Sequence, residues 1–434
     1  MAFFLIYIIF ILSFTKGILE LIGIPETLLQ LGIEVLIILL FSIAFLRTVK
    51  FKKFVFPGTA VIFSLFVIVT ISYSFNDVDL IQTTLFFRKF GFYILFFYSI
   101  FNVTLTQIQK DKLLSLLIFL FLIQIPAALI KLFVLGGTLE KIVGTMSVME
   151  GSLATTMPLL PIAYLISHYL NYKKIKDIVF VLLFISIGLI SNKLGILFYV
   201  IILFLFLSYF HSSPKLYLPN FKFIKNILIN SIYLTIIFSL FVILNPRANP
   251  EHKVGGSIDL DYLIEFTQDY QTLDLQTGVE GDGRFDAPFV ALDRLYNGGL
   301  LNVLFGFGPG DIVQSSLTKY DNPLLEKYNI GYGGRLGLVW FLMQVGVVGT
   351  VLFILFHLYL LKRLFVIYRV LYLDSNAKVL TLTAIGFSLL FFLDFLTYSP
   401  EMIHSPGVTL TYYFGIFYIL STFKNQINYG AKND

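Results

Sequence analysis

The side chains best suited to chemistry lie between Asn245 and Leu336, the one long polar stretch of an otherwise apolar chain. Three of them are arginines, Arg284, Arg294 and Arg335. An arginine stays charged and presents planar donors that match the oxygens of phosphate groups. These three residues are therefore predicted catalytic residues that stabilise negative charge on a departing group.

Carboxylates in the same stretch could take a proton during such a reaction. Asp293, beside Arg294, is the predicted catalytic carboxylate, although a simpler interpretation of Arg294 is a surface charge. Three other aspartates fit the role of general base equally well: Asp282, Asp286 and Asp311. No metal or cofactor is predicted, because the chain has no cysteine and His252 and His404 lack partners at metal-binding spacing.

The composition indicates that these residues belong to a membrane protein. The 434 residues are 57% hydrophobic and 13% charged, with a mean hydropathy of +0.86, which is outside the range of soluble domains. Runs such as Val55 to Ile71 are too long and uninterrupted for strands or for the alternating segments of a membrane β-barrel. Met1 to Phe14 lacks a basic region and a cleavage site, so we expect a retained first helix.

The apolar runs predict about twelve membrane-spanning helices of roughly 20 residues. They begin near residues 2, 28, 54, 84, 112, 152, 177, 194, 226, 337, 378 and 407. Residues 1–244 would form helices one to nine, residues 245–336 a large loop, and residues 337–434 the last three helices and a tail. The predicted fold class is therefore all-α.

Basic residues are concentrated in alternate loops, and this bias predicts the topology. They are Arg47, Lys50, Lys52, Lys53, Lys110, Lys112, Lys173, Lys174, Lys176, Lys215, Lys222, Lys225, Lys362, Arg363, Arg369 and Lys378. By the positive-inside rule both termini are cytoplasmic and the large loop is outside. The same bias accounts for the net charge of +5, so a nucleic-acid partner is not predicted.

Two positions outside the large loop are candidates for binding an anionic substrate at the outer membrane surface. Arg88 lies near the outer end of the fourth predicted helix, and Lys193 lies in the tight hairpin Ser191-Asn192-Lys193. A ring of cations on one face suits an anionic lipid-linked substrate. Snorkelling of unrelated basic side chains to the headgroups is an equally good explanation.

The large loop is predicted to be partly helical. Ile258 to Phe266 favours an interfacial helix, and Arg284 to Leu304 favours a second amphipathic helix after the Gly281-Asp282-Gly283 break. A glycine-rich run, Gly306 to Gly310, ends it. That run differs from both nucleotide-binding fingerprints and is weak evidence by itself.

The order of these features resembles the superfamily of O-antigen polymerases and O-antigen ligases, bacterial enzymes that extend or transfer lipid-linked glycans. The matching residues are Ser191-Asn192-Lys193, Gly283-Arg284, Gly306-Phe307-Gly308-Pro309-Gly310 and Gly346-Val347-Val348-Gly349. Lys193 stands where the family's hairpin carries an arginine, and the proline before the glycines is missing. Arg335-Leu336 occupies the position of the family's His-Asn, so the likeness to polymerases is stronger than that to ligases.

The resemblance implies a GT-C-like membrane fold with a periplasmic loop, in the bacterial inner membrane. It implies a metal-independent glycosyltransferase acting on glycans carried by undecaprenyl diphosphate, with a chain-length regulator as a further partner. Five residues are expected to bind substrate: Arg88, Lys193, Gly306, Gly308 and Gly310. Ligase activity is the alternative, and a lipid-linked sugar transporter is the alternative of another class, favoured only by Asp394 inside the eleventh predicted helix.

Overall fold

The computed structural model describes residues 1–52, 54–76, 78–134, 142–148, 151–191, 193, 195–212, 239, 242, 249–253, 255–265, 283–313, 323–370 and 374–423. The regular structure of these residues is helical, and no strand occurs among them. Eight of the helices are long and apolar enough to cross a membrane. The chain is therefore an α-helical, multi-pass membrane protein.

The long helices of the bundle are α1 (Ala2–Leu21), α2 (Glu26–Phe51), α3 (Thr59–Phe75), α4 (Leu80–Asn102), α5 (Gln107–Phe133), α6 (Leu153–Tyr172), α7 (Ile175–Ile190), α8 (Gly195–Ser212), α12 (Gly337–Val370), α13 (Ser375–Thr397) and α15 (Pro406–Thr422). The short elements are α9 (Ala287–Asn297), α10 (Leu300–Phe305), α11 (Pro323–Tyr328), the 3-10 helix Tyr332–Arg335 and α14 (Glu401–His404).

The predicted helix starts agree closely with these bounds. The largest differences are at α3, predicted at 54 and observed at 59, and at α5, predicted at 112 and observed at 107. The predicted helix near residue 226 lies outside the described residues, as do Asp282 and the hairpin residue Asn192. Eight helices meet the criteria for a span, so a total of twelve remains a prediction.

Capping side chains explain where several helices begin. Asp79 accepts a hydrogen bond from the Ile81 amide (3.2 Å) at the start of α4. Thr106 and Gln109 form a reciprocal capping box before α5. Each cap accepts a hydrogen bond from one of the first amides of the helix, which have no partner within the helix itself. The cap therefore marks where the connecting turn ends and the helix begins.

Cross-bundle hydrogen bonds identify which helix ends meet. At one end, which we call the loop end, the Asn76 amide donates to the Gly306 carbonyl (3.1 Å). At the other end, the lysine-rich end, the Tyr172 hydroxyl donates to Asn376 (2.6 Å), close to Lys173 and Lys174. The segment that contains Arg284 packs at the loop end.

Aromatic rings fill the interior between the helices. Phe341 and Phe353 stack with their centroids 4.0 Å apart, and His357 stacks on Phe391 at 3.7 Å. Ring pairs of this kind contribute about 0.5–1.5 kcal/mol each beyond simple burial. Much of the aromatic content of the sequence is therefore used in packing helix against helix.

Helix α12 is broken at Gly346, whose φ of 66° lies in the left-handed region. A side chain at this position would collide with the backbone of Leu304 and Phe305, because that backbone passes 2.4 Å from where its Cβ would lie. The end of α10 therefore fits into the break in α12. This contact fastens the loop to the bundle.

One expectation about the segments at the loop end was wrong in detail. Arg284 to Leu304 is not one helix, because Gly298-Gly299, with a φ of 105° at Gly299, separates α9 from α10. Residues 142–148 enter the bundle, with the Thr145 amide donating to Gln124 of α5 (2.7 Å). Non-helical backbone at this depth is stable because protein groups satisfy it.

Candidate functional site

Arg284 is held against the aromatic ring of Tyr398. Its guanidinium carbon lies 4.5 Å from the ring centroid. Arg284 precedes α9 of the loop and Tyr398 directly follows α13, so the contact joins the loop to a transmembrane helix. Stacking on an aromatic face orients the planar guanidinium without removing its charge.

Asp394 is a buried carboxylate close to Arg284. Only 4% of its surface is exposed. It accepts hydrogen bonds from the Thr156 hydroxyl (3.1 Å) and the Met402 amide (2.7 Å). The charges of Arg284 and Glu401 both act on it, the first attracting and the second repelling. Two hydrogen-bond donors and one cation thus offset part of the cost of burying this carboxylate.

Glu401 supplies a second carboxylate at the start of α14. Its side chain is half-buried, and its carboxylate accepts a hydrogen bond from the Ser152 hydroxyl (2.5 Å). The Ser399 hydroxyl donates to the same oxygen at 3.4 Å. Glu401 is therefore less enclosed than Asp394 and lies nearer the surface of the loop end.

Hydroxyl groups from α6 and α8 complete the surroundings. The Thr155 hydroxyl donates to the Tyr398 hydroxyl (2.9 Å), and the hydroxyls of Tyr199 and Thr397 are 2.9 Å apart. We call the whole group the Arg284 cluster. Its members are Ser152, Thr155, Thr156, Tyr199, Arg284, Asp394, Tyr398 and Glu401.

The Arg284 cluster joins one cation to two carboxylates where transmembrane helices meet the loop. The cation can hold an anionic leaving group, and a carboxylate can accept a proton from a hydroxyl. Such groups interact more strongly here than in water because the surroundings have a low dielectric constant. Within the described ranges, no three His, Asp or Glu side chains are grouped to hold a metal ion.

The start of α8, two residues after Lys193, lies beside the cluster. A Cβ at Gly195 would be 3.9 Å from the Tyr398 ring and 3.8 Å from the Tyr199 ring. The Lys193 amide donates to the Gly188 carbonyl (2.9 Å), which closes the turn between α7 and α8, and its side chain is half-buried.

Arg88 is paired with a carboxylate that sequence reasoning did not consider. Its Nε lies 2.7 Å from Glu34 of α2, whose side chain is 5% exposed. Gln30 donates to the same carboxylate oxygen (3.0 Å). The presence of Glu34 inside an apolar run was the signal that could have found this pair, because an ionisable group there needs a partner.

Arg294 and Asp293 make their described contacts within the loop. Arg294 Nε donates to the Tyr328 carbonyl (3.0 Å), and Asp293 accepts from Asn297 (3.1 Å). The Asp293 side chain is 62% exposed and lies 3.9 Å from Arg294. Arg335 is exposed at the end of the 3-10 helix, which packs against α9. The described contacts of Arg294 and Asp293 therefore lie outside the Arg284 cluster.

The predicted substrate-binding glycines form a tight turn against the bundle. Gly306, Gly308 and Gly310 all have positive φ, of 78°, 109° and 98°. A Cβ at Gly310 would lie 1.9 Å from the Gln82 carbonyl oxygen, and one at Gly306 would lie 2.5 Å from the Gln344 backbone. This close approach to the chain's own backbone accounts for glycine at both positions.

His404 lies near the cluster as a neutral side chain. Burial, and to a smaller extent the charge of Lys89, lowers the pKa of His404 well below its usual range. Its ring packs edge-on against Trp340 with centroids 4.6 Å apart, and its carbonyl accepts a hydrogen bond from Tyr93 (2.8 Å). The segment after α13 is therefore a packed part of the site.

The two carboxylates of the cluster were not predicted from the sequence as site residues. Asp394 was expected only as evidence for transport, and Glu401 was not among the predicted site residues. The signal that could have found them is that both carboxylates lie close together in the sequence, at the junction between two apolar helices. No protein-family model matches this chain, and no curated protein matches its sequence. The likeness to O-antigen polymerases and ligases therefore rests on the quoted motifs and their order alone.

Proposed function

We propose that the protein is a membrane glycosyltransferase that polymerises O-antigen or a related surface polysaccharide. It would move a glycan from undecaprenyl diphosphate onto a lipid-linked repeat unit. The observation that carries the proposal is the Arg284 cluster, in which a guanidinium stacked on Tyr398 and the carboxylate of Glu401 are both close enough to Asp394 to act on it electrostatically. A cation and a carboxylate at the membrane surface are the two groups that this transfer needs.

In the proposed reaction the bond between the anomeric carbon and the diphosphate oxygen breaks, and an acceptor hydroxyl forms the new glycosidic bond. The diphosphate leaves with the electron pair, and Arg284 stabilises the charge that develops on it. The hydroxyl proton passes to Glu401, which is the more accessible carboxylate of the cluster. Asp394, held by Thr156 and Met402, is the positioning residue on the inner side of the cluster.

Lys193 is proposed to bring a second cation to the diphosphate. Its hairpin packs beside Tyr398, on the side of the cluster formed by α8. A lysine supplies a point charge rather than the paired donors of an arginine, so its contribution would be mainly electrostatic.

Glycan length in a deletion strain tests the function. Without a polymerase, lipid A core should carry glycans of a single repeat unit, while attachment itself continues. Complete loss of attached glycan would instead favour a ligase or a flippase. Unchanged chain length would contradict all three activities.

Purified protein provides the direct test of the chemistry. Lipid-linked repeat units should lengthen without added divalent metal, and the activity should persist in EDTA. Glu401→Gln should lower the turnover at least tenfold while donor binding persists, because the amide cannot accept the proton. Loss of activity in EDTA would contradict metal independence, and full activity of Glu401→Gln would remove that residue from the reaction.

Transport of lipid-linked sugars is the second candidate, and the broken helix α12 is the observation in its favour, since transporters often bind substrate at such breaks. The carbonyls beside this break are already bonded, however. Met343 accepts from the Phe307 amide (2.7 Å) and Gln344 accepts from Ser72 (3.0 Å). Uptake of a labelled lipid-linked sugar into proteoliposomes, without elongation, would favour transport.

A further inference from the structure

An apolar cavity of about 250 Å³ lies between α5, α6, α7, α13 and α15, in the half of the bundle away from the Arg284 cluster. Leu114, Ile118 and Leu122 form its wall on α5, where they recur at helical spacing. Phe180 and Phe184 line it on α7. Sites that enclose whole ligands are larger, at roughly 300–1,000 Å³, so this cavity suits a segment of a hydrocarbon chain.

The cavity becomes polar where it reaches the lysine-rich end. His168 and Asp177 line it there, with the His168 Nδ1 2.6 Å from the Asp177 carboxylate. Asp177 is buried, with 3% of its surface exposed, and its carboxylate pairs with the imidazole of His168. Lys176, the next lining residue, is exposed. The exposed ionisable side chain that lines this end of the cavity is therefore a lysine.

Two more lysines in the same turn extend this basic surface. The Lys173 ammonium lies 5.0 Å from the ring centroid of Tyr169, and the Lys174 ammonium lies 5.3 Å from that of Tyr172. These tyrosines hold both ammonium groups close to the helix end. Three cations thus stand in one turn of four residues, at the end of an apolar cavity.

We propose that this cavity binds one acyl chain of an anionic phospholipid whose phosphate lies against Lys173, Lys174 and Lys176. The apolar walls match the chain, and the lysines match the charge of the headgroup, as in basic pockets between transmembrane helices that bind anionic lipids. This site is separate from the Arg284 cluster and does not depend on the proposed function. A substrate lipid anchored at Arg284 would make no use of these lysines.

Native mass spectrometry of the purified full chain tests the proposal. The protein is titrated with phosphatidylglycerol or phosphatidylcholine, and we expect at least tenfold tighter binding of phosphatidylglycerol. The triple variant Lys173→Ala, Lys174→Ala, Lys176→Ala should lose this preference. The matched control Lys50→Ala, Lys52→Ala removes cations from the C-terminal end of α2, which does not border the cavity, and should keep the preference.

A second variant tests the cavity itself. Leu114→Trp adds a large ring at the half-buried edge of the cavity and should weaken binding of both lipids, while size-exclusion profiles report that the variants remain folded. Equal binding of the two lipids by the unmodified chain would overturn the proposal. A triple variant that still prefers phosphatidylglycerol, as its control does, would also overturn it. The same holds if undecaprenyl phosphate displaces phosphatidylglycerol equally well from the unmodified chain and from the triple variant.

Discussion

Arg284 owes its candidate role to neighbours that are distant in the sequence. Its guanidinium lies over the ring of Tyr398, and in the proposed reaction Glu401 is the proton acceptor. Arg294, by contrast, donates to the Tyr328 carbonyl inside the loop. The contacts of Arg284 and of the residues after the Lys193 hairpin lie instead where the transmembrane helices meet the loop.

Replacement of Arg284 should abolish glycan elongation. Arg284→Ala should lower the rate about a hundredfold, the usual effect of removing one preorganised charge donor from a transition state. Arg284→Lys should recover part of the loss, because it keeps the charge but not the stacked plane. The rate is measured on lipid-linked repeat units.

Arg369→Ala is the matched control for this experiment. Arg369 also lies over an aromatic ring, that of Phe365 at 5.8 Å, but near the C-terminal end of α12. Its replacement should leave elongation within about twofold of the original rate. An equal loss of elongation rate in the two variants would contradict a specific role of Arg284 in the reaction.

His404 should make the folded state sensitive to acid. Its pKa is lowered in the folded chain, whereas an unfolded histidine titrates near about 6.5. Below that pH the unfolded chain binds the additional proton, so stability falls as the pH falls from about 6.5 towards the lowered value. Thermal unfolding in detergent should show a shallower pH dependence for His404→Gln, and identical slopes would contradict the assignment.

At the scale of elements, the loop is fastened to the bundle by complementary breaks in regular structure. The turn at Gly306 to Gly310 packs against α4, and α10 enters the break at Gly346 of α12. The family-like glycine motifs on either side of Arg335 are therefore parts of one interface. That interface fixes the position of α9, and with it Arg284.

A side chain at Gly310 should disrupt this interface. Gly310→Ala would bring a methyl group to within 1.9 Å of the Gln82 carbonyl, and we expect a loss of about 3 kcal/mol or more. Gly299→Ala is the control, because Gly299 has a similar φ but no atom within 4 Å of its Cβ position. Its cost should be only that of backbone strain, about 1 kcal/mol. Equal thermal shifts would contradict the packing argument.

The pair formed by Glu34 of α2 and Arg88 of α4 makes another prediction at this scale. Arg88→Leu leaves a buried carboxylate without its cation and should cost about 3 kcal/mol, whereas the double variant with Glu34→Leu should be close to the original stability. Unfolding measurements check both values. If the double variant keeps its activity, the role of Arg88 is structural. If the double variant is stable but inactive, the result supports a role of Arg88 in substrate binding.

At the scale of the whole molecule, the charge bias predicts which side of the membrane each end of the bundle faces. The chain has no cysteine, so single cysteines can be introduced without removing others. Ser257→Cys should react with an impermeant maleimide in intact cells, and Lys174→Cys only after permeabilisation. The reverse pattern would contradict the predicted topology, and with it a periplasmic Arg284 cluster.

The sequence by itself determined the class of fold and the positions of the helices. Apolar runs, caps and glycine breaks act over a few residues, so they can be recognised without knowledge of distant contacts. This is why α1 and α12 begin where predicted, at residues 2 and 337. Gly298-Gly299, which divides Arg284 to Leu304 into two helices, is an equally local signal. The prediction of a single helix followed the apolar spacing and did not take these glycines into account.

Tertiary structure decided which charges meet. Arg284 and Asp394 are 110 positions apart in the numbering (394 minus 284), and Glu34 and Arg88 are separated by 54. No local pattern specifies such a pairing, because it depends on how whole helices pack side by side. Packing made Arg88 half of an ion pair, and it placed Asp394, Glu401 and Tyr398 around Arg284.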